Sequence, residues 1–260
     1  MQDPRTLRRL CVQHMARAPL SGGGRDQLMT QRIIVINPKG GSGKTTVATN
    51  LAAFYAASGL NTVLMDYDPQ GSSTRWLKKR GPALPPIHGI AAFEKNARVT
   101  RSFQLMLPTG TDRVVIDTPA ALTGQEMPEL VRGADAILVP VLPSDIDIHA
   151  CSRCISDLLL VAKVRRSENR IGVIANRTRR NTLVLQTLLR FLGTIGVPIV
   201  TTLRDSQNYL KSAELGQGLH EMKAHLVREE LETWRPLVEW LDARTPAGQA
   251  QPMGGLEAAV

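Results

Sequence analysis

The chain has 260 residues, 43% of them hydrophobic, and a formal net charge of +9. This length holds one large α/β domain or two small ones, and the composition is ordinary for a globular protein. No apolar stretch approaches the ~20 residues needed to cross a bilayer, which argues against an integral membrane protein. The excess of basic residues favours a polyanionic partner, such as nucleic acid or acidic lipid.

The first segment of the chain lacks the long apolar core of a secretion signal. Residues 1–28 hold five arginines and the linker-like run Ser21-Gly22-Gly23-Gly24. We expect a disordered N-terminal extension here, or an upstream start, since Met29 directly precedes the first predicted strand. At the other end, residues 244–260 are rich in Gly, Pro and Ala and are expected to form a disordered tail.

Between these ends, short apolar runs alternate with helical stretches, a pattern typical of parallel βαβ units. The predicted strands are residues 32–37, 62–66, 113–117, 136–139, 170–176 and 198–202. The predicted helices are residues 45–58, 126–132, 146–164, 183–192, 206–214 and 225–241. Residues 29–243 are therefore expected to form an α/β fold, a single-domain, doubly wound, mostly parallel sheet flanked by helices.

Prolines modify three parts of this pattern. Pro140 cannot donate to a sheet ladder, so we expect the strand 136–139 to end there. Pro236 is expected to kink or split the last helix. Residues 81–96 include three prolines and are interpreted as a loop with one short helix.

The most informative segment is the glycine-rich loop from Pro38 to Thr46, which follows a buried strand and opens a helix. A Gly-Lys-Thr loop in this setting predicts nucleotide binding. Its glycines let backbone N–H groups turn toward phosphate oxygens, and the helix that begins near Lys44 adds the positive end of its dipole. Lys44 is expected to reach the β- and γ-phosphates, and the Thr45 hydroxyl to bind Mg²⁺. The predicted cofactor-binding residues of the loop are Gly40, Gly41, Ser42, Gly43, Lys44, Thr45 and Thr46.

The loop departs from the usual phosphate-loop pattern in two places. Pro38 stands where a glycine is usual, and a second lysine, Lys39, starts the loop. The form Lys-Gly-Gly-x-Gly-Lys-Thr-Thr resembles the deviant Walker A box of the ParA/MinD family of ATPases. The resemblance implies an ATP hydrolase whose two ATP-bound subunits form a sandwich dimer, with each Lys39 reaching the phosphates in the partner's site. Lys39 and Lys44 are then catalytic, because cations there stabilise charge that develops in the transition state.

Two further predicted strands end in carboxylates. Asp66 and Asp68 flank a single residue, and Asp117 follows three β-branched residues. The Asp117 pattern is a Walker B arrangement, in which the carboxylate holds Mg²⁺ directly or through water. Asp66 by itself is also compatible with capping a turn. The run Asp-x-Asp-Pro-Gln resembles a box of the ParA proteins, which implies that Asp68 orients the attacking water and that Asp66 supports the Mg²⁺ shell.

Asn176 ends the predicted strand 170–176, and its amide offers a donor and an acceptor that suit an adenine edge. The segment resembles the adenine-recognising strand end of the same family, although a plain turn residue would also explain it.

Basic residues cluster between positions 163 and 180 and recur further along the chain. A solvated helix end would explain the cluster alone, but the overall positive charge favours contacts to DNA phosphates. The predicted DNA-binding residues are Lys163, Arg165, Arg166, Arg177, Arg179, Arg180, Arg204, Lys211, Lys223 and Arg228.

The cysteines do not predict a metal centre. Cys151 and Cys154 have Cys-x-x-Cys spacing, but no second pair completes a zinc site. Three residues apart on a predicted helix, they are expected to pack as small core residues. Reduced thiols suit a cytosolic protein.

The family resemblance implies a ParA-type ATPase that binds DNA nonspecifically as an ATP dimer and positions a cargo by slow hydrolysis. The cargo would be a plasmid, a chromosome locus, a protein cluster or a microcompartment. The implied cofactors are ATP and Mg²⁺, and the implied partners are a second copy, nonspecific DNA and a ParB-like or adaptor protein that stimulates hydrolysis. The expected location is the cytoplasm, at the nucleoid. The closing segment with Trp234 and Trp240 is similar to that of small orphan positioning ATPases.

Two alternatives stay open at this point. A MinD-like, membrane-associated positioning ATPase needs an amphipathic lipid-binding helix, commonly at the C-terminus. Residues 249–260 lack basic residues and are poor in large apolar ones, so membrane association is not expected. A metabolic or electron-transfer relative of the same class is disfavoured, because no cysteine that could bridge a cluster lies near Asp117 in the sequence.

Overall fold

Seven parallel strands form the centre of the molecule. The computed structural model describes residues 30–94, 100, 105–120, 122, 126–179 and 182–244. The strands are β1 Gln31–Val35, β2 Thr62–Asp66, β3 His88–Ala91, β4 Arg113–Asp117, β5 Ala136–Val141, β6 Ile171–Thr178 and β7 Ile199–Arg204. Their order across the sheet is β3-β2-β4-β1-β5-β6-β7, and every neighbouring pair is parallel. The predicted doubly wound α/β fold is confirmed.

Helices cover both faces of the sheet. They are α1 Lys44–Ala57, α2 Ser72–Lys79, α3 Met127–Val131, α4 Asp145–Leu160, α5 Leu183–Ile195, α6 Gln207–Glu214 and α7 Arg228–Asp242, with short 3₁₀ turns at Arg166–Glu168 and Leu219–Glu221. Alternate residues of β1 enter two separate cores: Ile34 packs with α3, α4 and α5, and Ile33 packs with α1 and α7. Burial on both faces explains why these strands are continuous apolar runs.

The parallel arrangement brings all strand ends to one side of the sheet, here called the carboxyl edge, opposite the amino edge where the strands begin. Val35 and Asp66 both pair with Asp117 in the strand register. The loop after β1 and the acids that end β2 and β4 therefore lie side by side, where ligands bind in open α/β sheets.

The structure differs from the predicted local structure in several places. Within residues 81–96 the chain forms β3 at the edge of the sheet rather than a short helix, and α2 was not predicted. The last helix was expected to kink or split at Pro236, and it is not split: α7 continues through the proline, with Trp234 and Leu237 on either side of it buried. Strand β6 also continues two residues past Asn176, and α4 ends at Leu160.

Pro140 does not end its strand either, since β5 continues to Val141. The Leu138 carbonyl accepts from the Ile36 N–H, so the backbone of Leu138 faces β1. Backbone polar groups two residues apart in a strand point the same way, so those of Pro140 also face β1. On that side β1 has already turned away into the glycine-rich loop, and the Pro140 carbonyl accepts from the Asn37 side chain instead, at 2.7 Å. The missing N–H of the proline therefore breaks no ladder bond.

Some predictions fall on residues that the structure does not describe. The predicted N-terminal extension, residues 1–28, lies outside the described residues, as do residues 245–260 of the predicted tail and Arg180. Over the described ranges, no helix combines the length and apolar character needed to span a bilayer.

Candidate functional site

The glycine-rich loop joins β1 to α1 with two left-handed glycines, Gly41 at φ 77° and Gly43 at φ 96°. A Cβ at Gly43 would lie 2.1 Å from Nδ2 of Asn176, so a side chain does not fit there. That amide nitrogen donates to the Ser42 carbonyl at 2.8 Å, which ties the end of β6 to the loop. The Asn37 side chain accepts from the backbone N–H of the second residue after it, at 2.9 Å. Two asparagines, one just after β1 and one in β6, therefore hold the loop in place.

Lys44, the first residue of α1, lies over this loop. It is buried, and its Nζ donates to the Lys39 carbonyl at 3.1 Å. Burial lowers the pKa of Lys44, while the negative charges of Asp117 and Asp68 raise it. No carboxylate lies within ion-pair distance of this ammonium in the part of the chain that the structure describes. A buried cation at a helix N-terminus suits an anionic phosphate group.

Other residues predicted to bind phosphate lie beside Lys44 in the chain. The Ser42 hydroxyl is buried and forms no hydrogen bond within the described residues. Thr45 and Thr46 begin α1, and Gly40 is exposed at the rim of the loop. The backbone and hydroxyl groups predicted to bind phosphate are thus brought together around Lys44.

Lys39 forms a contact that the sequence did not predict. Its Nζ lies 2.6 Å from Oδ2 of Asp147, a residue of α4 that is 3% exposed, whereas the lysine side chain is 33% exposed. Ser144 caps α4: its hydroxyl accepts from the Asp147 N–H at 3.3 Å and donates to the Asp147 carboxylate. The spacing Ser-x-x-Asp resembles a helix-capping pattern, which would have located the helix start but not the lysine partner.

Asp117, at the end of β4, is the most buried acid of the site, with 0% exposure. Its Oδ2 accepts from the Ser73 hydroxyl at 2.5 Å, and among the residues that the structure describes its Oδ1 accepts no hydrogen bond of ordinary geometry. Burial raises the pKa of Asp117 to about 7, against the lowering effect of the Ser73 and Thr45 hydroxyls. An uncommitted carboxylate oxygen beside a threonine hydroxyl is the kind of oxygen donor set that Mg²⁺ prefers. The residues present therefore fit the predicted metal.

Asp66 and Asp68 have different surroundings. Asp66 accepts from the Thr74 N–H and hydroxyl, at 2.8 and 2.9 Å, and from the Asp68 N–H at 3.1 Å. Its carboxylate thus holds the turn that leads into α2, and burial raises its pKa. Asp68 is half-buried and accepts from the Gln70 N–H at 2.9 Å. The predicted roles of Asp66 near Mg²⁺ and of Asp68 at the attacking water stay predictions.

The predicted DNA-binding residues do not form one surface. Arg177 and Arg179 lie at the carboxyl edge with Arg204, which pairs with Thr178 in the strand register and with Glu229 of α7 in an ion pair. Arg228 starts α7, and Lys211 lies exposed on α6, which begins at this edge. We call this set the carboxyl-edge basic group: Arg177, Arg179, Arg204, Lys211 and Arg228.

A second set precedes β6 and therefore lies at the amino edge of the sheet. We call it the amino-edge basic group: Lys163, Arg165 and Arg166, all exposed. Strand β6 runs from the amino edge to the carboxyl edge, and its eight residues span about 26 Å at ~3.3 Å per residue. Lys223 is exposed before α7 and is assigned to neither group.

Cys151 and Cys154 lie in the core between α4 and the sheet, as their spacing predicted. Burial raises the pKa of the Cys151 thiol to about 12 and raises that of Cys154 as well. Buried thiols with raised pKa values are poor nucleophiles and ligands. Both side chains act as packing residues here.

Comparison with known proteins identifies the family. Residues 33–219 match the family model described as the CobQ/CobB/MinD/ParA nucleotide binding domain. The chain belongs to the ParA/MinD family. Maintenance of carboxysome distribution protein A of Halothiobacillus neapolitanus is a relative with 30% identity over 173 residues, 65% of this chain and 77% of that protein. The chromosome-partitioning ATPase Soj of Thermus thermophilus is 32% identical over 137 residues, 43% of this chain and 54% of that protein.

Solved structures agree on the fold. Apo McdA of Cyanothece superposes with a TM-score of 0.61 at 16% identity, over 82% of this chain and 99% of that one. The septum site-determining protein MinD of Pyrococcus horikoshii, solved with Mg-ADP, has a TM-score of 0.57 at 15% identity, over 83% and 96%. At these identities the likeness shows the ParA/MinD fold alone. The family resemblance of the two-lysine loop is confirmed by the match of the family model.

Proposed function

We propose that this ParA/MinD-family protein is an ATP hydrolase that forms an ATP-dependent sandwich dimer, binds DNA nonspecifically and positions a cargo. The observation that carries the proposal is the position of its two lysines. Lys44 is buried in its own phosphate loop, whereas Lys39 lies one-third exposed at the rim. Once it leaves Asp147, a cation at the rim would reach the phosphates of a second subunit, which would make dimerisation conditional on the triphosphate.

The chain's own residues divide the work of the site. The glycine-rich loop and Lys44 would bind and orient the phosphates. Asn176, whose amide contacts the loop at the Ser42 carbonyl, would recognise the adenine edge. Thr45 and Asp117 would hold Mg²⁺, which when bound neutralises charge on the phosphate oxygens. Asp68, on the turn that leads into α2, would orient the water that attacks the γ-phosphate. Such a turn can respond to the loss of the γ-phosphate.

Lys39 tests the sandwich dimer directly. We expect Lys39→Ala to bind a fluorescent ATP analogue about as well as the wild type, yet to stay monomeric with ATP and Mg²⁺ in analytical ultracentrifugation and to lose hydrolysis. Lys78→Ala, an exposed lysine on α2, is the matched control and should dimerise normally. Normal ATP hydrolysis by Lys39→Ala would refute the sandwich-dimer proposal, and the function that remains supported would be that of a monomeric NTPase.

The carboxyl-edge basic group is the better candidate for the DNA surface, because it lies at the edge where two subunits would meet. Two copies of the group would then combine on one dimer, which makes DNA retention depend on ATP. Contacts to phosphates release counterions, so the affinity should fall steeply as salt rises. We therefore propose Arg179 and Arg228 among the phosphate contacts.

Charge reversal separates DNA binding from dimerisation. Arg179→Glu with Arg228→Glu should abolish ATP-dependent retention of duplex DNA at ordinary salt while dimerisation persists. Arg153→Glu with Arg190→Glu removes the same charge from exposed positions on α4 and α5 and should retain DNA. Retention of DNA by the first pair would refute the assignment. Binding to anionic vesicles in place of DNA would favour a MinD-like membrane ATPase.

The names of the relatives indicate the class of cargo. One relative maintains the distribution of carboxysomes and another partitions chromosomes. We propose a cargo of the same kind, a protein microcompartment, a protein cluster or a DNA locus, reached through an adaptor that stimulates hydrolysis. A fluorescent fusion should lie over the nucleoid in the cytoplasm, and a diffuse distribution that ignores the nucleoid would contradict the DNA-based mechanism.

A further inference from the structure

The C-terminal end of α4 presents an unusual surface at the amino edge. The Val161 and Ala162 N–H groups both donate to the Asp157 carbonyl, and the Val164 N–H donates back to the Leu158 carbonyl at 3.0 Å. Val164 is buried and anchors the chain after the turn. The residue between, Lys163, is left-handed at φ 55° and points to solvent. The turn therefore fixes a lysine at the tip of the helix.

The left-handed backbone at Lys163 is energetically unfavourable for a lysine. Helices commonly end on a left-handed residue, and glycine is the usual one because a Cβ is strained there. The retained side chain at Lys163 thus has a backbone cost that glycine would not have. Strain of this kind, once observed, is a reason to look for a function of the side chain.

The neighbours of Lys163 combine exposed aliphatic side chains with cations. Leu160, the last residue of α4, is 77% exposed, and Val161, which follows it, is 45% exposed. Arg165 is exposed as well. The nearby carboxylate of Glu168 is already bound by Arg170, at 2.5 Å. Within the described residues, neither Lys163 nor Arg165 forms an ion pair.

This combination fits a peptide better than DNA. Phosphate backbones are bound by cations, hydroxyls and backbone N–H groups, to which an exposed leucine contributes nothing. The amino edge also faces away from the nucleotide loop, about 26 Å along β6 from the carboxyl-edge basic group. Aliphatic side chains beside unpaired cations complement a segment that carries both carboxylates and apolar side chains.

We propose that Leu160, Val161, Lys163 and Arg165 form a docking surface for a short acidic segment with apolar side chains from a partner protein. The surface goes beyond the proposed ATPase and DNA functions, because it lies at the opposite end of the sheet. In a dimer joined at the carboxyl edges, the two copies of this surface would face outward in opposite directions. Both would remain open to a partner while DNA and nucleotide are bound.

The experiment uses the full-length protein and three labelled probes: a short peptide of alternating Glu and Leu, a duplex DNA and vesicles of phosphatidylglycerol. The Glu-Leu peptide should bind the wild type in a fluorescence anisotropy titration, and its Glu-Ser and Lys-Leu analogues should bind more weakly. Arg165→Glu and Leu160→Ser should each weaken the Glu-Leu peptide by about tenfold or more. Arg153→Glu, an exposed arginine on the same helix, should leave it unchanged.

Lys163→Gly guards against misfolding, because glycine relieves the left-handed strain while removing the charge. Its melting temperature should equal or exceed that of the wild type, and its peptide affinity should fall. Equal peptide binding by the wild type and all these variants would overturn the proposal. So would a loss of DNA or vesicle binding, rather than peptide binding, in Arg165→Glu and Leu160→Ser. Nucleotide binding and ATP-dependent dimerisation should be unaffected, so failure here is distinct from failure of the ATPase proposal.

Discussion

The ion pair between Lys39 and Asp147 allows a quantitative test of how the rim lysine is held. Removing one partner of a fully buried ion pair costs about 3–5 kcal/mol. Lys39 is one-third exposed and regains water when its partner is neutralised, so the cost of Asp147→Asn is smaller, about 1–2 kcal/mol of unfolding free energy. For a domain of this size, that loss lowers the melting temperature by about 2–8 °C.

The same substitution should strengthen the dimer. In the sandwich proposal, Lys39 has to leave Asp147 before it can reach the phosphates of a second subunit. Asp147→Asn removes that cost in both subunits. About 1–2 kcal/mol per subunit is about 2–4 kcal/mol per dimer, which corresponds to a factor of about 30–900 in the dimerisation equilibrium. Dimerisation with ATP and Mg²⁺ is therefore expected at lower protein concentration than in the wild type, even though the monomer is less stable.

The assay pairs thermal unfolding with sedimentation velocity across a range of protein concentrations. Asp145→Asn is the matched control, because Asp145 shares the first turn of α4 but its side chain is 89% exposed and faces His149. The control removes the helix-dipole contribution of one acid without touching Lys39. A double-mutant cycle with Lys39→Ala isolates the pair itself. A coupling energy near zero, or a dimer constant equal to that of Asp145→Asn, would refute the reasoning.

Three further outcomes follow from the described contacts. Gly43→Ala should abolish binding of an ATP analogue, because φ is left-handed there and the new Cβ would lie 2.1 Å from the Asn176 amide nitrogen. Gly40→Ala is the control and should bind the analogue, because its Cβ would meet nothing closer than 4.0 Å. Equal binding by both variants would contradict the prediction. Glu221→Gln leaves the buried Arg80 guanidinium without its bidentate carboxylate, so the free energy of unfolding in urea should fall by about 3–5 kcal/mol. A decrease no larger than that caused by neutralising an exposed acid would be inconsistent with this ion pair. Burial between Phe54 and Trp234 lowers the pKa of His220 from 6.5 to about 4, so the unfolded state takes up the proton first and stability falls as pH falls through this window. From pH 7 to pH 5 the wild type should lose about 2 kcal/mol relative to His220→Phe, and parallel pH profiles would disprove this.

Features that depend on nearby residues were predictable from the sequence. The bounds of β2 and β4 match the prediction, because each is an apolar run that ends in an acid. Strand β3 was missed because its stability comes from pairing with β2, and Gly89 fits closely against Leu77 of α2. Pro140 was misjudged because its effect depends on which neighbour the missing N–H would face. Pairing of this kind joins residues far apart in the chain and leaves no local pattern.

The residue types of the candidate site were predictable from the sequence alone. They are two lysines and turn-forming glycines in the loop, and acids at the ends of neighbouring buried strands. These follow from short-range rules, since a phosphate loop needs N–H groups free of Cβ atoms and parallel strands end at one edge. The contacts of each charged side chain became known only from the three-dimensional structure. It pairs Lys39 with Asp147, 108 residues later by number (147 − 39), and it divides one basic cluster between two ends of β6. Electrostatic interactions depend on distance in space and on burial, and neither can be read from positions along the chain.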